Sequence, residues 1–174
     1  RVPPAPPSPP AGNAPVPGPI RTLGSAAVTL RDDAVADAVR ATLGEHPEAG
    51  GVVLVDERHR PTGYLDRSRF LLAMAGPFGH ALWANKPARD MADPPRLADE
   101  RASVRAAMEI GLAGDPARGY DDLVLVGPDG ACTGVVPVSE LWRSALRRDP
   151  RPTRPVPGRV VPSPVPKTPR AHTA

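Results

Sequence analysis

An internal duplication constrains this chain more than any other feature of its sequence. Val52–Leu71 (VVLVDERHRPTGYLDRSRFL) and Leu123–Trp142 (LVLVGPDGACTGVVPVSELW) overlay without a gap and share Val53/Val124, Leu54/Leu125, Val55/Val126, Thr62/Thr133, Gly63/Gly134 and Ser68/Ser139. Phe70/Leu141 and Leu71/Trp142 match in type. The shift of roughly seventy residues is longer than a solenoid period, so the chain holds two copies of one unit and not an array. Each copy runs apolar strand, polar turn, second strand opening near a glycine, then an amphipathic helix.

Upstream of each duplicated stretch, a short strand and a helix complete the unit. Ala26–Leu30 is a short apolar run suited to a strand, Asp32 or Asp33 can cap a helix, and Val35, Val39 and Leu43 recur at helical spacing before Gly44. Gly51–Val55 is a continuous apolar run, the pattern of a strand buried on both faces. Gly63–Leu65 returns beside it, and Ser68–Ala75 is a helix broken by Gly76-Pro77. In the second copy Leu97 anchors the short strand, Ser103 caps a helix with Val104, Met108 and Leu112 on one face, and Leu123–Val126 is the buried strand. Gly127-Pro128-Asp129-Gly130 is a tight-turn sequence, Thr133–Val136 returns, and Leu141, Trp142, Ala145 and Leu146 give the last helix its apolar face. The order is strand, helix, strand, strand, helix, twice, an α+β fold. Between the copies, Phe78, Leu82 and Trp83 are expected to pack back on the domain or against a second chain, because the chain is only 3% aromatic.

The ends differ from the middle. Residues 1–20 and 149–174 hold about two-thirds of the 26 prolines and read as disordered Pro-rich tails. The folded part is expected over residues 21–148, with copy one at about 26–75, a connector at 76–93 and copy two at about 94–147. The chain opens at Arg1 and is read as a piece or a processed form. The sequence pI is about 9.6, yet the net charge of +3 is a tail property: the C-terminal tail carries roughly +4, which leaves the core slightly acidic. A nucleic-acid-binding core would carry its own positive stripe, so nucleic acid is not an expected partner. The lone Cys132 excludes an internal disulfide and fits a reducing, cytoplasmic setting. No apolar run is long enough for a membrane span, and no segment has the pattern of a signal peptide.

The duplicated unit resembles a cystathionine-β-synthase (CBS) domain pair. The residues that carry the resemblance are the Asp129-Gly130 turn with Gly134-Val135-Val136-Pro137-Val138-Ser139-Glu140-Leu141 in copy two, and Gly63-Tyr64-Leu65-Asp66-Arg67-Ser68-Arg69-Phe70 in copy one. The stretch GYLDRSRF followed by AGPFGHALWANKPARDM is similar to the CBS-like pairs that accompany GGDEF and EAL domains in cyclic di-GMP signalling proteins. The resemblance implies a non-enzymatic regulatory module, two copies associated through their sheets, and two clefts that commonly hold adenine nucleotides. It also implies a homodimer through CBS-type faces, with GGDEF or EAL domains as partners. In many such pairs a Thr or Ser three residues after the third-strand glycine contacts phosphate, and an Asp three further on binds ribose hydroxyls, since a carboxylate accepts from a vicinal diol. Gly63 and Gly134 match the glycine. Copy one has Asp66 and Arg69 at the two ligand positions, with Arg67 beside them; copy two has Pro137 and Glu140, with Ser139 between. Asp66 would repel a phosphate, Arg67 or Arg69 could attract one, and Glu140 is either a ribose ligand or a solvated residue of the first helical turn.

Other chemistry is absent from the sequence. The four histidines stand apart without paired ligands, and no phosphate-loop, dinucleotide or nucleophile-elbow motif occurs. Asp121-Asp122 is expected to be a solvated turn before a strand, and Cys132 a buried small hydrophobe. The functional expectation is a ligand-binding regulatory module, with a structural dimerisation module with empty clefts as the alternative.

Overall fold

A computed structural model of the chain describes residues 18–147. The Pro-rich segments at both ends, read above as disordered tails, lie outside the described residues apart from Gly18–Ile20. In copy one, β1 (Thr29–Arg31), α1 (Ala36–Glu45), β2 (Gly51–Val55), β3 (Pro61–Asp66) and α2 (Arg67–Ala75) follow in order. A short helix α3 (Gly79–Trp83) comes next, and copy two repeats the unit with β4 (Leu97–Asp99), α4 (Val104–Leu112), β5 (Leu123–Val126), β6 (Cys132–Val136) and α5 (Val138–Arg147).

Each copy forms a three-stranded sheet, β1-β2-β3 and β4-β5-β6, with the first pair parallel and the second antiparallel. The registers repeat too. Val53 pairs with Thr29 and Tyr64, and Val124 with Leu97 and Val135. Both hairpins shift register at the same place, between Leu54 and Val55 and between Leu125 and Val126. The alternation along the central strands explains why they are apolar throughout. Val52 and Leu54 face α1 and α2, and Leu123 and Leu125 face α4 and α5. Val53, Val55 and Tyr64 meet Val124 and Cys132 between the two sheets. The result is four layers, helices, sheet, sheet, helices, and each fully buried Val or Leu contributes about 1.5–3 kcal/mol.

The two copies are also interlocked. The turn Ile20–Leu23 precedes copy one but docks on copy two: Ile20 is fully buried there, and its N–H donates to the Ala102 carbonyl at 2.9 Å. The turn Ala88–Met91 precedes copy two and docks on copy one, with Ala88 donating to the Ala34 carbonyl at 2.8 Å. The strands that follow cross over similarly: Ser25 bridges to Val135, and Asp93 to Tyr64. The folded body therefore starts before residue 21, and part of the expected connector belongs to the repeat itself.

Other local expectations shift for physical reasons. Helix α1 begins at Ala36 behind Val35, without a side-chain cap, because Asp32 and Ala34 are held in a turn by bonds to Val55 and Arg31. Asp66 caps α2 by accepting from the Arg69 N–H at 2.9 Å, so that helix starts earlier than its apolar spacing indicates. On α4 the buried residues are Val104, Ala107 and Gly111, while Leu112 is exposed. Phe78 and Leu82 do not pack back on the domain; they are exposed, and only Trp83 of that trio lies against the copy-one core. The Ser103 hydroxyl does cap α4, accepting from Ala106, and Gly130 takes the left-handed conformation (φ 79°) that its turn requires.

Candidate functional site

The crossover creates two equivalent corners between the copies. Each is bounded by the end of one copy's third strand and the start of its last helix, by the crossing segment, and by the loop entering the other copy's central strand. Their glycines have one reason to be there. A Cβ on Gly63 would stand 2.9 Å from the Ala92 Cβ, and one on Gly134 would stand 2.7 Å from the Ser25 carbonyl oxygen, because the crossing segment runs over each.

In the first corner the ligand positions of copy one meet Asp93 and the Arg118–Asp122 loop. Arg69 makes a two-pronged pair with Asp121, Nη1 to Oδ1 at 2.7 Å and Nη2 to Oδ2 at 3.1 Å, and a third bond from Nη2 to Asp93 Oδ2 at 3.0 Å. Arg118 reaches the same carboxylate through Nε at 2.9 Å and donates to the Pro94 carbonyl at 2.7 Å. Asp121 is only 1% exposed, so the expected solvated turn is instead a buried anchor between two guanidiniums. The Asp121 bond raises the Arg69 pKa further above its ordinary value. A bidentate guanidinium–carboxylate pair of this kind is among the stronger polar contacts available to a protein. Asp66 lies at the edge of this corner as the cap of α2. Arg67 points elsewhere: its Nη1 donates to the Leu43 and His46 carbonyls at 2.9 Å each, closing the end of α1. The first corner is filled by the protein's own charges.

The second corner is open. A cavity of about 250 Å³ is lined by Ser25, Ala26, Val28, the Glu48–Gly51 loop, Asp122, Val135 and Pro137. Continued two residues upstream, the ungapped overlay sets Gly50 and Gly51 against Asp121 and Asp122. The side chains that close the first corner are therefore missing from the second. Pro137 stands where Asp66 stands in the other copy. Glu140, the counterpart of Arg69, does not line the cavity; its carboxylate pairs with Arg143 one turn along the helix. Ser139 is exposed at the helix start.

Asp122 sits between the corners. It is 9% exposed and lines the cavity, and a Cβ on Gly50 would lie 2.6 Å from its Oδ2. Burial pushes its pKa up, the bond from the Tyr64 hydroxyl acts against that, and the neighbouring Asp66 and Asp121 charges add to the rise. The Tyr64 phenol is itself driven up, first by burial and then by Asp122. Ser25, Glu48, Asp93 and Arg118 carry no signal in the third-strand motif, and Asp121 and Asp122, expected as a solvated turn, belong to the site with them. The available signal was the Asp121-Asp122 pair at the mouth of a buried strand, opposite an arginine in the other copy.

A separate apolar groove of about 380 Å³ lies on the helical face of copy two, between Leu112, Pro116, Tyr120 and Trp142. Leu112, Tyr120, Trp142 and Leu146 are exposed there, as are Leu72, Phe78 and Leu82 on copy one. Among the described residues no group of three or more His, Cys, Asp or Glu could hold a metal ion, and no helix is long and apolar enough to cross a membrane.

No family model matches the sequence, and neither does any curated protein. Solved structures do match in fold. CBSX2, a CBS-pair protein from Arabidopsis thaliana, superposes with a TM-score of 0.61 at 16% identity, over 75% of this chain and 96% of that one. The CBS domain protein PAE2072 from Pyrobaculum aerophilum, solved with AMP, gives 0.58 at 22% identity, over 70% and 88%. MJ1004 from Methanocaldococcus jannaschii gives 0.59 at 14% identity over 74% of this chain, which spans only 60% of that protein's length. With its duplicated unit, interlocked crossing segments and paired sheets, the chain has the fold of a CBS-domain pair.

Proposed function

We propose that this chain is a regulatory module, without a reaction of its own, that binds one adenine nucleoside or nucleotide in its second corner and passes the bound state to an attached or partner domain. The observation that carries this reading is the asymmetry between two equivalent corners. One is closed by Arg69, Asp121, Arg118 and Asp93, and the other is open at about 250 Å³. That volume lies slightly under the usual range for drug-sized ligands and suits a nucleoside more than a larger molecule. A ligand there would touch both copies, through Gly50 and Glu48 of one and Asp122, Val135 and Pro137 of the other. Its binding would then favour one relative arrangement of the sheets, as a switch requires. The downstream partner that the connector's resemblance suggests is a cyclic di-GMP signalling domain.

Thermal melting with millimolar adenosine tests the site. A ligand that binds only the folded chain raises the midpoint. The rise is expected in the native sequence and lost in Ala26→Trp, which places an indole in the cavity from an exposed position. Equal rises in both would place the ligand elsewhere.

The second reading is a dimerisation module with empty clefts. It is favoured by the exposed Leu112 and Trp142, which line one apolar groove, with Leu146 also exposed on that helical face and Leu72, Phe78 and Leu82 on the other copy.

A further inference from the structure

Resting on the reading of the second corner as a ligand site, we infer that this site takes a phosphate-free ligand, neutral or cationic at the end that meets Glu48 and Asp122, and discriminates against phosphorylated nucleotides. Among the described residues, the titratable side chains that line the cavity are these two carboxyls, and the nearest imidazole, His46, stands behind Glu48 with its Nδ1 3.3 Å from Oε1. The nearest guanidinium along the chain, Arg67, is turned away and bonded to two carbonyls of the α1 terminus. At the helix start, the hydroxyl position is Pro137, which offers neither a side-chain donor nor an N–H. Arg143, the cation nearest Glu140, is paired with it outside the cavity.

The closed corner supplies an independent indication of the chemistry. There the loop entering the central strand presents a carboxylate, Asp121, and what meets it from across the interface is the planar cation of Arg69, with both carboxylate oxygens accepting. The open corner presents the neighbouring carboxylate, Asp122, about nine-tenths buried, which accepts from the Tyr64 hydroxyl and has no ion-pair partner among the described residues. A donor-bearing ligand would fill the role there that Arg69 fills in the first corner. A phosphate would instead bring negative charge towards two carboxyls, one of which, Asp122, is about nine-tenths buried where salt screens little, a repulsion that amounts to roughly tenfold in affinity.

The test is isothermal titration of the full chain with adenosine, 5′-amino-5′-deoxyadenosine, AMP and ATP, repeated on Glu48→Gln and Asp122→Asn. The expected order is the amino compound tightest, adenosine next, AMP about tenfold weaker than adenosine, and ATP weaker still. Glu48 is exposed, so Glu48→Gln leaves the fold intact and is expected to narrow the gap between the amino compound and AMP; Asp122→Asn should narrow it further. AMP or ATP binding as tightly as adenosine would overturn the charge selection while leaving the site in place. Binding of none of the four would overturn the site and the selection together.

Discussion

Asp121 and Asp122 are adjacent carboxylates that the fold treats in opposite ways. Asp121 is buried against two guanidiniums, and removing its carboxylate leaves Arg69 and Arg118 with only the outer Asp93 carboxylate. Asp121→Ala is expected to lower the unfolding free energy by about 2–4 kcal/mol in a urea titration. Arg69→Ala should cost less, since the Arg69 side chain is 41% exposed and water can replace it. Equal and negligible losses would mean that the cluster is not formed in solution. Asp122 has no ion-pair partner among the described residues, and its folded pKa lies above the ordinary carboxylate value, chiefly through burial. A carboxyl of this kind binds its proton more readily in the folded chain. Its contribution to stability is present below the ordinary pKa and is lost as pH rises through the folded value. Asp122→Asn is therefore expected to be stabilised relative to the native sequence at neutral pH, with the difference shrinking on acidification. Denaturant unfolding at several pH values checks this, and a difference that grows as pH falls would contradict it.

At the level of elements, the duplication predicted the strands and helices because they rest on local pattern. Continuous apolar runs gave β2 and β5, the Gly-Pro break ended α2, and Ser103 marked α4. What the pattern could not carry was the exchange of segments between copies. Ile20 and Ala88 occupy matching sites on opposite copies, yet they are an isoleucine and an alanine in stretches without shared sequence. Residues 76–93 consequently read as a connector between the copies, although the Ala88–Met91 turn within them is the counterpart of Ile20–Leu23. The same blind spot hid the site. The motif points to Asp66, Arg69, Pro137 and Glu140, whereas Asp93 and Asp121, the partners of Arg69, and Ser25, which bridges to Val135, come from the crossing segments and the opposite copy. The crossing also explains the two motif glycines and gives a test. Gly134→Ala sets a Cβ against a backbone oxygen, and Gly63→Ala sets one against a smaller, yielding methyl contact. Both should destabilise, by about 1–3 kcal/mol, with Gly134→Ala the worse in thermal melts. A neutral Gly134→Ala would show that the Ser25 segment is not held over β6.

For the whole molecule, sheet-to-sheet packing buries the interface between copies, while the outer helical faces keep Leu112, Trp142, Leu72 and Phe78 exposed. If those faces pair two chains, light scattering at micromolar concentration should give a dimer, and Leu112→Glu with Trp142→Glu should give a monomer that still melts cooperatively. A native chain that is already monomeric removes the dimerisation reading. One asymmetry sets the molecule's behaviour: equivalent corners, one closed by the chain's own charges and one open. Titrating the ¹⁵N-labelled chain with adenosine while following backbone amides tests it most directly. Shifts are expected to centre on Ser25, Glu48, Gly50, Gly51 and Val135, with Asp66, Arg69, Asp93 and Asp121 unmoved. Shifts centred on Arg69, Asp93 and Asp121, or divided evenly between the two corners, would contradict it.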